Sequence, residues 1–122
     1  VVTVREALEK VLSDLGRAGD IDASAIVSRD GLLMASDIPR EIHAETFAAM
    51  TATMLGAAET AISELKRGIP DRVIVESKEA KVIAAGAGPK ALLVVMTSPE
   101  AGLGLILVEM AKAGRKVKEI LS

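Results

Sequence analysis

His43 stands between Glu41 and Glu45, the one place in this 122-residue sequence where a histidine meets carboxylates. Such a group suggests a metal ligand set or a general base. A metal site needs three or four ligands at suitable spacing, and His43 is the only histidine in a chain without cysteine. Acids near the start of a helix also answer the positive end of its dipole. A Ser-His-Asp relay would have to use His43, and no Gly-x-Ser-x-Gly nucleophile context accompanies it. Asp20, Asp22, Asp30 and Asp37 each fall where a turn or cap already explains them. Gly86-Ala87-Gly88 looks like a fragment of a phosphate loop, but it lacks the following Gly-Lys-Ser/Thr and opens no helix. No catalytic, cofactor-binding or metal residue is expected. The pattern reads as a binding module, not an enzyme.

Composition narrows the partners. Phe47 is the sole aromatic residue, so the stacking platforms that hold single-stranded nucleic acid are missing. Net charge is −2 with both signs interspersed, which gives no broad footprint for nucleic acid or anionic membrane. The one basic cluster, Arg115-Lys116-Val117-Lys118, is followed by Glu119 and reads as a solvated helix face. Charge-free stretches fall short of the roughly 20 residues that cross a bilayer. The opening VVTVREALEK is amphipathic, unlike a basic stretch followed by an apolar run. Absence of cysteine points to the cytoplasm. The length suits a single domain, residues 1–122.

The elements follow from periodicity. Val4, Ala7, Leu8, Val11, Leu12 and Leu15 repeat at helical spacing behind the capping box Thr3-x-x-Glu6. Strands are predicted at about 23–28 and 32–37, joined at Arg29-Asp30-Gly31. A middle helix is predicted over about 41–67, ended by Gly68-Ile69-Pro70. Arg72–Ser77, Lys81–Ala87 and Ala91–Thr97 then form an antiparallel meander. Ser98-Pro99-Glu100 leads into a last helix with Leu103, Ile106, Leu107, Met110, Gly114, Val117 and Leu121 on one face.

Residues 46–58 of the middle helix, TFAAMTATMLGAA, carry no charge at all. One side holds Phe47, Met50, Met54, Leu55, Ala58, Ile62 and Leu65 and is expected to lie on the sheet. The other holds Ala49, Ala52, Thr53, Gly56, Thr60 and Ser63, where a solvent-facing stripe would carry Lys and Glu. Glycine inside a helix costs on the order of 1 kcal/mol against alanine. It is best explained where another backbone comes close. A second copy of the helix is the simplest partner, since symmetric dimers are the commonest oligomers.

The order α-β-β-α-β-β-β-α, with several local segments, resembles the Roadblock family, the domain of dynein light chains and small-GTPase regulators. The resemblance rests on Ala25-Ile26-Val27-Ser28-Arg29-Asp30-Gly31-Leu32-Leu33-Met34-Ala35-Ser36 and on Leu55-Gly56-Ala57-Ala58-Glu59. Val73-Ile74-Val75-Glu76, Leu92-Leu93-Val94-Val95 and Gly102-Leu103-Gly104 continue it. It covers essentially the whole chain and is most similar to prokaryotic stand-alone members.

What it implies is an α+β, profilin-like fold: a five-stranded antiparallel sheet, the middle helix on one face and the terminal helices on the other. It also implies a homo- or heterodimer joined by the third strands, here Arg72, Val73, Ile74 and Val75, with the middle helices set together. Ala49, Ala52, Thr53, Gly56 and Thr60 are the expected contacts. The implied function is a platform that binds a Ras-like small GTPase and modulates its nucleotide cycle. Two rivals stay open: a scaffold without effect on GTP turnover, and a small-ligand sensor. No arginine-finger motif carries over, and Arg29, Arg67 and Arg72 read equally well as turn or surface residues.

Overall fold

A computed structural model describes residues 1–122 throughout. Helix α1 spans Val4–Arg17 and opens with the expected box. The Glu6 amide donates to Thr3 Oγ1 at 3.1 Å, and the Thr3 amide donates to Glu6 Oε1 at 3.3 Å. Leu8, Val11, Leu12 and Leu15 form its buried stripe. On its solvent side, a hydrogen bond from Lys10 and the nearby cations Arg17 and Lys116 hold the Asp14 carboxyl below its ordinary value.

Strands β1 (Ile21–Ser28) and β2 (Leu33–Asp37) form an antiparallel hairpin. The connection is longer than a two-residue turn. Ser28 accepts at its hydroxyl from the Leu32 amide, Gly31 takes φ 89°, and β2 begins one residue later than predicted. A register shift at Ile26/Val27 lets both Leu33 and Ala35 stay on their proper faces around Met34. β1 starts two residues earlier than predicted because Ile21 still pairs with Thr97.

Helix α2 covers Ala44–Glu64, shorter than predicted at both ends. Its C-terminus is closed by Lys66, which takes the left-handed φ of 55°. The Lys66 amide donates to Ser63 O and the Arg67 amide to Ile62 O, the two bonds of a Schellman ending. The stop therefore lies before Gly68. Strands β3 (Arg72–Glu76), β4 (Lys81–Gly86) and β5 (Ala91–Thr97) make the expected meander, and helix α3 runs from Leu103 to Leu121.

The sheet order is β2-β1-β5-β4-β3, all antiparallel. α1 and α3 pack on one face over Ile26, Ile83, Leu93 and Val95. α2 packs on the other over Ala25, Val27, Ala84, Leu92 and Val94. The α1/α3 side holds the larger core, so its leucines should dominate stability. Leu12→Ala is expected to cost about 2–5 kcal/mol, through lost burial and a cavity, and Thr3→Ala about 1 kcal/mol. Urea unfolding monitored by circular dichroism checks both.

Candidate protein interface

The residues that touch the sheet from α2 are a mixture of small and bulky side chains. Ala48, Thr51 and Leu55 are buried, with Ala52, Phe47 and Met54 packed beside them. The Thr51 hydroxyl donates to Phe47 O at 2.8 Å and to Ala48 O at 3.1 Å, so its burial leaves no polar group unpaired. Ala48 and Leu55 pack in the core with Ala25 and Ala84, while Met50 is turned outward, 59% exposed, and Leu65 is exposed at the helix end. Both were expected in the core. Bulk suggested one orientation about the helix axis; the helix is rolled from it, with Ala48, Thr51 and Leu55 buried and Met50 exposed.

The outward face of α2 then carries Met50, Thr53, Ala57, Thr60 and Ala61, with no charge between Glu45 and Glu59. The Thr53 hydroxyl donates to Ala49 O at 2.9 Å and that of Thr60 to Gly56 O at 3.1 Å. With their hydroxyls bonded back to their own helix, these threonines ask nothing polar of a neighbour. The other expected contact residues lie nearer the sheet. Ala49 is half-buried against the β1–β2 turn, where a Cβ on Gly31 would come 3.4 Å from its Cα. Ala52 packs against the chain's own core. A Cβ on Gly56 would meet nothing within 4 Å, so the chain's own packing does not require glycine there.

β3 closes one end of the sheet, and its outer edge pairs with no strand. Its register with β4 puts Val73 and Val75 on the α2 face with Ala84 and Val82. Arg72 and Ile74 share the opposite face with Ala85 and Ile83. Val75 is 45% exposed and Ile74 37%. The open edge and the uncharged helix face thus border the same side of the sheet.

His43 occupies the N-cap position of α2, exposed and without a side-chain capping bond. No three His, Asp or Glu side chains converge as a metal site, and no helix is long and apolar enough to cross a membrane. Arg29 has a role that its sequence context does not reveal. From the β1–β2 turn it donates to Glu59 Oε2 on α2 at 3.3 Å and to Gly88 O in the β4–β5 turn at 3.0 Å. A Cβ on Gly86 would lie 3.0 Å from its guanidinium. Gly88, at φ 88°, lies under the Lys118 stem, where a Cβ would come 2.8 Å from Cγ. The Gly86-Ala87-Gly88 segment is explained by this close packing. Only a hydrogen-bonded contact brought together by the fold could have shown Arg29's part, since its partners lie 30 and 59 residues away.

An antiparallel five-stranded sheet with one helix on one face and two on the other defines a small α+β module of the Roadblock and profilin kind. The Roadblock/LC7 domain family matches residues 7–97. The chain belongs to that family. It is 34% identical over 111 residues to the uncharacterized protein MJ1340 of Methanocaldococcus jannaschii, covering 91% of this chain and 96% of that one. Among solved structures, MglB in a tetrameric arrangement superposes with a TM-score of 0.90 at 19% identity, covering 98% of this chain and 91% of that one. A Roadblock/LC7 domain from Streptomyces avermitilis superposes with a TM-score of 0.87 at 22% identity, covering 93% and 96%. These likenesses establish the fold.

Arg29 bridges three elements, while Glu59 contributes only one of its two bonds. Arg29→Met is expected to cost about 1–2 kcal/mol, and Glu59→Gln less than about 1 kcal/mol, because the bond to Gly88 O survives and the half-exposed ion pair is weak. Thermal unfolding of the two variants side by side tests the order.

Proposed function

We propose that the chain is a cytoplasmic, dimeric Roadblock platform that binds a Ras-like small GTPase and modulates its nucleotide cycle. Arg72, Val73, Ile74 and Val75 join the copies edge to edge, and Thr53, Gly56 and Thr60 lie on the contact surface along α2, with Ala49 and Ala52 at its inner border toward the sheet. The observation that carries this reading is the unpaired β3 edge bordering the same sheet face as an uncharged helix. An open edge invites pairing, and a two-fold axis through it would set the two α2 helices side by side. The family resemblance supplies the partner class. A scaffold role shares this dimer and differs only in leaving GTP turnover unchanged.

Gly56→Lys and Val75→Lys place a charge on the proposed surface at positions with open space or partial exposure. Both variants are expected to keep the circular dichroism spectrum of the parent. Light scattering should then give a lower mass, or capture of a candidate GTPase should weaken. Unchanged mass together with unchanged capture would reject the interface. GTP hydrolysis and nucleotide release by that GTPase, with and without this protein, separate a regulator from a scaffold.

A further inference from the structure

On the sheet face opposite α2, the helices leave one region open. α1 lies over β1 and β2 and α3 over β5, which leaves a groove of about 280 Å³ between α3 and the adjoining ends of β3 and β4. Its apolar lining comes from Leu107, Met110 and Ala111 on α3 with Ala85 and Ala87 from the sheet side. At Gly114 the helix comes close to the sheet, where a Cβ would lie 3.8 Å from Gly86 O. Around the groove stand Arg72, Arg115 and Lys118, three cations against the single carboxylate of Asp71. None of these four takes part in an ion pair; the chain's ion pairs lie elsewhere, on α1, on α3 and at Arg29. A chain of net charge −2 thus gathers a local excess of positive charge beside an apolar strip. Lys118 is held in place by its stem packing over Gly88.

We infer that this groove docks an acidic amphipathic segment of a partner protein, with a Leu- or Met-sized side chain against Leu107 and Ala111 and Asp or Glu facing Arg72, Arg115 and Lys118. Charge complementarity selects the occupant. Arg115 and Lys118 are exposed, as a solvated face would be, and helical spacing also brings both beside Arg72 from β3. The site lies on the far face from α2 and so does not rest on GTPase binding there, although its Arg72 belongs to the β3 segment proposed to join two copies.

The test is a nuclear magnetic resonance titration of the isotope-labelled protein with a synthetic peptide carrying Leu at helical spacing and Glu elsewhere. The control peptide has Lys in place of every Glu. Amide shifts are expected at Gly86, Gly88, Ala111 and Gly114, with affinity falling as salt rises. Arg115→Glu and Ala111→Trp, both at exposed positions of α3, should each weaken binding about fivefold or more with the rest of the spectrum unchanged. Equal binding of the Lys peptide, shifts confined to α2, or no shifts at millimolar peptide would overturn the proposal. So would inorganic phosphate alone reproducing the same shifts and displacing the peptide, which would mark a small-anion site.

Discussion

The pairing of β1 with β5 is the constraint on which the rest of the molecule depends. Seven residue pairs join them, from Ile21 with Thr97 to Ser28 with Ala91. Ala23–Val27 and Ala91–Val95 are buried continuously, without the alternation of a sheet wetted on one side. Ile26 and Leu93 demand cover on one face; Ala25, Val27, Leu92 and Val94 demand it on the other. Neither demand is met locally, because the two strands are far apart in sequence. Helices must therefore pack from both sides, and the chain supplies two for the larger core and one for the smaller.

That division is uneven, and the unevenness generates both candidate surfaces. α2 alone faces an entire sheet; it buries Ala48, Thr51 and Leu55 and shows the solvent a face built from Met50, alanines and self-bonded threonines. α1 and α3 cover the opposite face from β2 to β5 but leave the region beside β3 and β4 open. β3, paired on one side only, is the common border of the two. The two surfaces differ in chemistry. One is uncharged and suited to a close helix or strand neighbour; the other gathers cations around an apolar strip.

A small clasp of side chains joins the elements at one end of the sheet. Arg29 ties the β1–β2 turn to α2 and to the β4–β5 turn, and Lys118 closes over the same turn from α3. Gly86 and Gly88 make room for these two side chains. A segment that looks in isolation like a broken phosphate loop is thus the place where side chains from both faces of the sheet meet.

The sequence by itself determined what depends on neighbours along the chain. The capping box at Thr3 and Glu6, the helical stripe of α1, the strands of the meander and the order of all eight elements are local patterns of period and turn chemistry. The family was legible for the same reason, since order and spacing carry it. What only the tertiary structure decided depends on packing across the chain. It set the orientation of α2, which buries Ala48, Thr51 and Leu55 and leaves Met50 exposed. It gave the Schellman ending at Lys66 instead of a stop at Gly68. It created the Arg29 clasp and brought Arg72 beside Arg115 and Lys118. Periodicity tells which residues share a face of one element, but close contact between elements is fixed by shape and distance. That is why the framework could be read from the sequence while the surfaces had to be seen.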